Sequence, residues 1–281
     1  MSTIRKITVE ESDYPALLKE IYDPPEVLYV RGALEERVRV AIVGSRTPTK
    51  YGISVAEQLS SELAAAGVEI VSGLAYGIDA AAHRAALELG RTLAVLPGSV
   101  EDPQPSGNAE LAEEIVKAGG ALISEHPEGT PVGRWSFPQR NRIVSGISNA
   151  VIAVEGTVRS GALITARSAL EQNRTVFAVP GPIFSLYSEG PNELIKSGAI
   201  PATKAEDILE HLPIDRLSAQ TVDNPEQDAL VLALNTPKTL NELMKSLNLS
   251  APDLTARLTI LEMNNKLYRE ETGEYVLTKR D

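Results

Sequence analysis

The chain has 281 residues, of which 43% are hydrophobic and 23% are charged, a composition typical of a globular protein with one large and one small domain. It contains no cysteine, which excludes disulfide bonds and thiolate metal sites, and no apolar run is long enough to cross a bilayer. The formal net charge of −11 argues against a protein that coats nucleic acid through a generally basic surface, so any phosphate site must be local. We expect a cytoplasmic protein with no signal peptide, no membrane contact and no cofactor.

The first 37 residues form a short lead-in, in which Val27–Val30 could be an edge strand. From Val38 onward, short apolar runs alternate with helical patterns. The runs cover 38–43, 68–71, 92–96, 121–124, 150–154 and 175–179, and the main helical patterns cover 50–66, 79–89, 109–118 and 160–172. Such runs are typical of strands that are buried on both faces, and glycines stop several of the helices. The pattern predicts an α/β domain over 1–212 with a doubly wound, mostly parallel sheet.

Glycines and hydroxyl residues follow the apolar runs at the point where each run ends. They are Gly44-Ser45-Arg46, Ser72-Gly73, Pro97-Gly98-Ser99, Glu155-Gly156-Thr157 and Ser160-Gly161. In an open α/β sheet, ligands bind outside the carboxyl ends of the strands, and glycine turns and helix starts present N–H groups there. We therefore expect a ligand that carries phosphate, although each glycine could serve only as a tight turn and Ser160 only as a helix cap.

The segment Phe137–Ile143 combines an aromatic ring, a proline, two arginines and an amide. Pro138 predicts the start of a helix, and cations are poorly placed at that end of the helix dipole unless an anion is brought to them. Arg140 and Arg142 lie about half a turn apart and cannot share one face. One should meet the ligand while the other pairs with a carboxylate inside the fold, and Arg140 is favoured for the ligand.

These strings, taken together, resemble the DNA-processing protein A (DprA/Smf) family from about residue 14 to 212. The strings that carry the resemblance are Gly44-Ser45-Arg46, Ser72–Asp79, Phe137–Ile143, Arg159–Ala166 and Val176–Gly181. The resemblance implies an extended Rossmann-like fold, a homodimer, no established catalysis, and binding of single-stranded DNA during natural transformation and recombination. It also implies that the protein protects incoming single strands and loads RecA recombinase onto them.

On this interpretation, Arg46 is a phosphate ligand rather than a simple surface charge, and Arg134 occupies the place of a basic residue in the family's pocket. Phe137 could belong to the core, but an aromatic ring beside arginines suits base stacking with single strands. The expected site for single-stranded DNA comprises Gly44, Ser45, Arg46, Ser72, Gly73, Gly77, Arg134, Phe137, Arg140, Asn141, Arg142, Ser160, Gly161 and Thr165.

The sequence predicts a separate C-terminal domain over residues 225–281. A polar linker over 213–224 precedes three amphipathic helical patterns, at about 226–234, 239–247 and 250–264, and a hairpin around Gly273. This order indicates a small winged-helix domain over 225–281. Residues 224–281 contain nine acidic and seven basic side chains, so we expect the module to contact protein rather than phosphate.

The rival class is an enzyme. Glu155-Gly156-Thr157 resembles part of the nucleotide-binding edge of phosphoribohydrolases of the lysine-decarboxylase-like group, in which Glu155 could be the carboxylate near the ribose. That group's fuller Pro-Gly-Gly-x-Gly-Thr string is absent. His83 is expected to pack against the sheet, and His126 and His211 lack partners at metal-ligand spacing, so no metal site is expected.

Overall fold

The computed structural model describes residues 4–213, 233–234, 238–247, 254–255, 258, 267–269 and 273–277. The chain forms two compact units, Met1–Ala219 and Gln220–Asp281. Apart from Pro213, the expected linker over 213–224 lies outside the described residues, as do most of the helical patterns at 226–234 and 250–264. Within the described ranges, no helix is both long and apolar enough to span a membrane.

The large unit alternates strands and helices along the chain. Its strands are β1 (Ile4–Thr8), β2 (Val27–Gly32), β3 (Arg39–Val43), β4 (Glu69–Ser72), β5 (Thr92–Val95), β6 (Ala121–Ser124), β7 (Ala150–Ala153), β8 (Thr175–Ala178) and β9 (Ile200–Pro201). Its helices are α1 (Ala16–Lys19), α2 (Lys50–Ala65), α3 (Ile78–Leu89), α4 (Ala109–Lys117), α5 (Ser136–Gly146), α6 (Gly161–Glu171), α7 (Glu189–Lys196) and α8 (Ala205–Leu209). The six strands and four helices predicted from periodicity are confirmed, within one or two residues at each end.

The strands form one sheet in the order β1-β2-β6-β5-β4-β3-β7-β8-β9. All neighbours from β6 to β9 are parallel, whereas β2 pairs antiparallel with β6 and β1 pairs antiparallel with β2. The predicted mostly parallel sheet is therefore confirmed. The expectation that Val27–Val30 lies at an edge is wrong, because β1 covers that side of β2.

Each central strand supplies side chains to both faces of the sheet. In β3, Val40 and Ile42 pack with α2, α3 and α8, while Ala41 and Val43 pack with α5 and α6. A strand that must be apolar on both faces gives the continuous apolar run seen in the sequence. Gly67 and Gly119, just beyond α2 and α4, adopt φ values of +84° and +85°, which agrees with their expected role as helix stops.

In the small unit, β10 (Lys238–Thr239), β11 (Leu267–Arg269) and β12 (Glu274–Leu277) form a sheet in the order β10-β12-β11. β11 and β12 are antiparallel, which confirms the predicted hairpin, and α9 (Leu240–Leu247) matches the second predicted helix. The N–H and hydroxyl of Thr239 both donate to the Glu242 carboxylate at 2.8 Å, which secures the start of α9.

Candidate nucleic-acid interface

A cavity of about 710 Å³ opens at the carboxyl ends of β3, β4 and β7. β3 and β7 are neighbours, yet the chain proceeds from β3 toward β6 on one side and from β7 toward β9 on the other. This is the point at which an open α/β sheet forms a crevice for ligands. The cavity therefore lies at the edge where the glycine and hydroxyl residues were expected.

Most of the predicted site residues line this cavity. They are Gly44, Ser45, Arg46, Gly73, Arg134, Phe137, Arg140, Asn141, Ser160, Gly161 and Thr165. Ser72, Gly77 and Arg142 do not line it. Ser72 donates its hydroxyl to the Ile42 carbonyl at 2.6 Å, inside the sheet. Gly77 has a φ of +80° and packs against the Ser45 carbonyl, where a Cβ would collide, so its role is conformational.

Arg46 lies on the loop that follows β3 and is exposed. Its guanidinium carbon is 4.7 Å from the centroid of the Phe137 ring, a cation–π contact that links the two walls of the cavity. No ion pair among residues 4–213 includes Arg46 or Arg134, which is exposed on the opposite segment. Both arginines can therefore meet an anion without breaking a salt bridge.

Gly73 is held through both of its backbone groups. Its N–H donates to Asp79 Oδ2 at 3.1 Å, and its carbonyl accepts from Arg140 Nη1 at 2.6 Å. Arg140 also donates to the Val95 carbonyl. A Cβ at Gly73 would collide with the Arg140 guanidinium, so any larger residue at this position would displace this arginine.

Arg140 is therefore an interior residue with 4% of its surface exposed. Burial lowers the pKa of Arg140 to about 10, which leaves it charged at neutral pH. Burial likewise raises the pKa of Asp79, against the opposing effect of the Arg140 charge. Arg142 instead points away from the cavity and pairs with Glu125 at 2.8 Å and Asp23 at 3.0 Å. The expectation that one of the two arginines pairs with a carboxylate is confirmed for Arg142, whereas the side chain of Arg140 is directed at backbone carbonyls.

Phe137 lies in the first turn of α5, as predicted, and is half-buried rather than part of the core. Helix α5 begins without a side-chain cap, although the Ser136 hydroxyl accepts from Gly133 N–H at 3.1 Å. Asn141 connects α5 to the next wall, since its amide donates to the Gly161 carbonyl at 3.3 Å.

The opposite wall is the start of α6. Ser160 occupies the N-cap position but its side chain makes no capping bond, so capping, the alternative to a ligand role, does not explain this residue. Its hydroxyl oxygen is buried and has no hydrogen-bond partner among the residues that the structure describes. Thr165 bonds to the Gly161 carbonyl at 3.2 Å within the helix. An uncapped helix start beside a free hydroxyl supplies donors for an anion.

The lining residues outside the expected site include Asp79, Ile164, Leu186 and Tyr187. Asp79 is the second residue of α3, which begins directly after the turn at Gly77. This position lets its carboxylate reach the Gly73 N–H at the cavity. Leu186 and Tyr187 lie far from the other lining residues in sequence, on the loop after β8. The backbone carbonyl of Tyr187 accepts from Gly156 N–H at 2.7 Å, a tertiary contact that holds the loop at the cavity.

Glu155 and His83 both have structural partners. The Glu155 carboxylate is 2% exposed and accepts from the N–H and hydroxyl of Thr49 at 2.9 Å and 2.6 Å. It thereby secures the start of α2 and does not face the cavity as a ribose ligand would. His83 is packed against the sheet, as predicted, with Nδ1 at 2.6 Å from the Thr92 hydroxyl, and burial lowers its pKa to about 3.

Comparison with known proteins places these features in a family. The family model described as "DNA recombination-mediator protein A" matches residues 5–213. DNA processing protein DprA of Bacillus subtilis is 47% identical over 214 residues, which are 75% of this chain and 72% of that protein. Protein Smf of Escherichia coli is 46% identical over 209 residues, which are 73% of this chain but only 56% of that protein.

Two solved structures share the fold. DprA of Streptococcus pneumoniae superposes with a TM-score of 0.71 at 37% identity, covering 75% of each chain. DprA of Helicobacter pylori, described for its single-stranded DNA binding mode, superposes with a TM-score of 0.66 at 31% identity, covering 75% of this chain and 97% of that one. The family model and these relatives match nearly the whole large unit, and the chain therefore belongs to the DNA recombination-mediator protein A family.

Proposed function

We propose that the cavity binds single-stranded DNA without strong sequence choice. The observation that carries this proposal is the pairing of two exposed arginines, Arg46 and Arg134, with the half-buried ring of Phe137 at the switch point of the sheet. Proteins that bind single strands combine cationic side chains along the phosphates with aromatic rings against the bases. The H. pylori relative, whose structure is described for its mode of single-stranded DNA binding, supports the same ligand here.

The proposed roles follow from exposure and existing partners. Arg46 and Arg134 neutralise phosphates, and the uncapped start of α6 with Ser160 and Gly161 adds donors. Phe137 stacks on a base with the ring face that Arg46 leaves open. Arg140 acts as a positioning residue, because it holds Gly73 in the cavity floor and has little exposed surface with which to meet a phosphate. Arg140 is thus reassigned from the ligand role that the sequence favoured.

Equilibrium titration with single-stranded and duplex DNA of equal length tests the proposal. We expect the single strand to bind more tightly than the duplex. A plot of log K against log salt concentration should have a slope of about −1.4 or steeper, because each of two neutralised phosphates contributes about −0.7. A poly-dT strand and a mixed-sequence strand should bind with similar affinity. Equal affinity for single-stranded and duplex DNA, or an affinity that does not depend on salt concentration, would contradict the proposed site.

The wider role extends from this binding activity. We propose that the protein acts in natural transformation and recombination as a cytoplasmic homodimer that protects incoming single strands and loads RecA onto them. Membership of the DNA recombination-mediator family supports this role. Residues 1–212 are proposed to suffice for DNA binding, and the acidic C-terminal module, as a winged helix beyond a linker at 213–224, to contact protein.

A binding role without catalysis fits the site better than the phosphoribohydrolase alternative. That alternative needs a carboxylate directed at a ribose, and Glu155 is already engaged by Thr49. Asp79, the carboxylate that lines the cavity, is held against Gly73 N–H. Incubation with nucleoside monophosphates should therefore release no free base.

A further inference from the structure

The loop between β8 and α7 exposes three large apolar side chains within four residues. Ile183 is 83% exposed, Phe184 is 96% exposed and Leu186 is 63% exposed. Single apolar residues on a surface are ordinary, but a contiguous exposed group of this kind marks a binding surface. Phe184 in particular presents its whole ring to water.

This loop is held at both ends. At its start, Tyr51 donates its hydroxyl to the Pro180 carbonyl at 3.0 Å, and the Asn192 amide bonds to both backbone groups of Gly181 at 3.0 Å and 3.3 Å. At its end, the Tyr187 carbonyl accepts from Gly156. Two turns inside the loop are closed by hydrogen bonds from Ser185 to Pro182 and from Ser188 to Ser185. An anchored loop loses little conformational entropy on binding, so its apolar tip is preorganised.

The loop is also continuous with the cavity. Leu186 and Tyr187 line the cavity wall, and Phe184 stands two residues before Leu186. The segment that contributes Arg134 and Phe137 to another wall of the cavity repeats this arrangement, because Trp135 lies between them and is 59% exposed. Each of these two walls therefore carries an exposed aromatic ring just outside the cavity.

We propose that Phe184 and Trp135 are outer stacking platforms for the bases of a single strand that extends beyond the cavity on both sides. The proposal rests on the proposed function, since it assigns the flanking nucleotides of the same ligand. A strand longer than the cavity that leaves it across these two walls passes the two exposed rings. Because every base has a π-face, stacking on the two rings adds affinity without sequence choice. Stacking also suits a chain with a net charge of −11, which cannot extend its contact through a generally basic surface.

The test compares a long with a short oligothymidylate, of about 16 and about 4 nucleotides, the range of site sizes for single-strand binders. In the full chain, Phe184→Leu keeps an apolar side chain but removes the ring. We expect it to weaken binding of the long strand about tenfold, the lower part of the range for losing one stacked base, with an unchanged salt slope. Trp135→Leu should act in the same way, and Phe184→Trp should restore wild-type affinity. Neither leucine variant should weaken binding of the short strand.

Tyr22→Leu is the matched control, since Tyr22 is a fully exposed aromatic residue that does not line the cavity. It should bind both strands like the wild type. A long strand whose flanking nucleotides are abasic keeps its phosphates but offers no bases for stacking. The wild type and Phe184→Leu should therefore bind this strand with equal affinity.

Three results would overturn the proposal: long-strand affinity unchanged in both leucine variants, equal losses on short and long strands, or a sedimentation shift showing that Phe184→Leu breaks a contact between copies of the chain. Failure of the proposed function is a separate outcome, because the wild type would then bind neither strand.

Discussion

Replacing Arg140 with methionine is expected to lower the free energy of unfolding by about 3–5 kcal/mol, because two buried carbonyls lose their donor and each unsatisfied group costs about 1–3 kcal/mol. The substitution leaves the carbonyls of Gly73 and Val95 without their donor and leaves Asp79 buried without a nearby positive charge. For a unit of this size, such a loss lowers the Tm by about 10 °C. Thermal and urea unfolding of the variant measure it directly.

Two further variants make the result specific. Arg167→Met carries the same substitution at an exposed position of α6 and should change stability by less than about 0.5 kcal/mol. Adding Asp79→Asn to Arg140→Met removes the unpaired carboxylate and should recover part of the lost stability. A loss below about 1 kcal/mol in Arg140→Met would refute the positioning role. Normal stability with a salt slope shallower by about 0.7 would return Arg140 to the ligand role that the sequence favoured.

The double variant Arg46→Gln/Arg134→Gln should lose single-strand affinity at least about 100-fold, since a hydrogen bond to a charged group contributes about 1.5–3 kcal/mol. Its salt slope should be shallower by about 1.4, because two phosphates are no longer neutralised. Both side chains are exposed, so the Tm should hardly change. Filter binding or fluorescence anisotropy at several salt concentrations yields both numbers.

Arg84→Gln/Arg167→Gln is the matched control for this variant. It removes the same two charges from exposed positions on α3 and α6 that do not line the cavity. Long-range electrostatics alone would affect the two double variants equally, whereas contact in the cavity affects only the first. Similar losses in both would show that Arg46 and Arg134 act through net charge and not through contact.

Local sequence was sufficient for the sheet and for the edge that carries the site. A strand that is buried on both faces has to be a continuous apolar run. A ligand-binding turn after it needs glycine so that the ligand can approach the backbone closely. Both features are therefore visible in consecutive residues. Gly44-Ser45-Arg46 is the clearest example, because the run, the glycine and the arginine follow one another directly.

The direction of Arg140 depends on helix phase, and the sequence contained that signal. Arg140 precedes Ile143, Val144 and Ile147 by three, four and seven positions, which places it on the apolar stripe of α5. Arg142 is out of phase with that stripe and reaches Glu125. The helical phase of Arg140 relative to the apolar stripe therefore predicts an interior position.

Other features depend on pairing between distant segments, which periodicity does not encode. β1 has apolar side chains only at Ile4 and Ile7, a spacing that does not alternate, and it is a strand because β2 offers its free edge. In the same way, Leu186 and Tyr187 belong to the cavity because Gly156 donates to the Tyr187 carbonyl. The sequence around Leu186 and Tyr187 contains no motif that predicts their position in the cavity wall.

The location of the strand is tested most directly by photo-cross-linking the full chain to a single strand that contains 5-iododeoxyuridine, followed by mass spectrometry of the attached peptides. Binding in the cavity predicts attachment to Phe137 and Tyr187, the two aromatic residues that line it, one on α5 and one on the β8–α7 loop. The Arg46→Gln/Arg134→Gln variant should lose both products at the same DNA concentration. Attachment confined to aromatic residues of the small unit, such as Tyr268 or Tyr275, would contradict the account and move the DNA site out of the cavity.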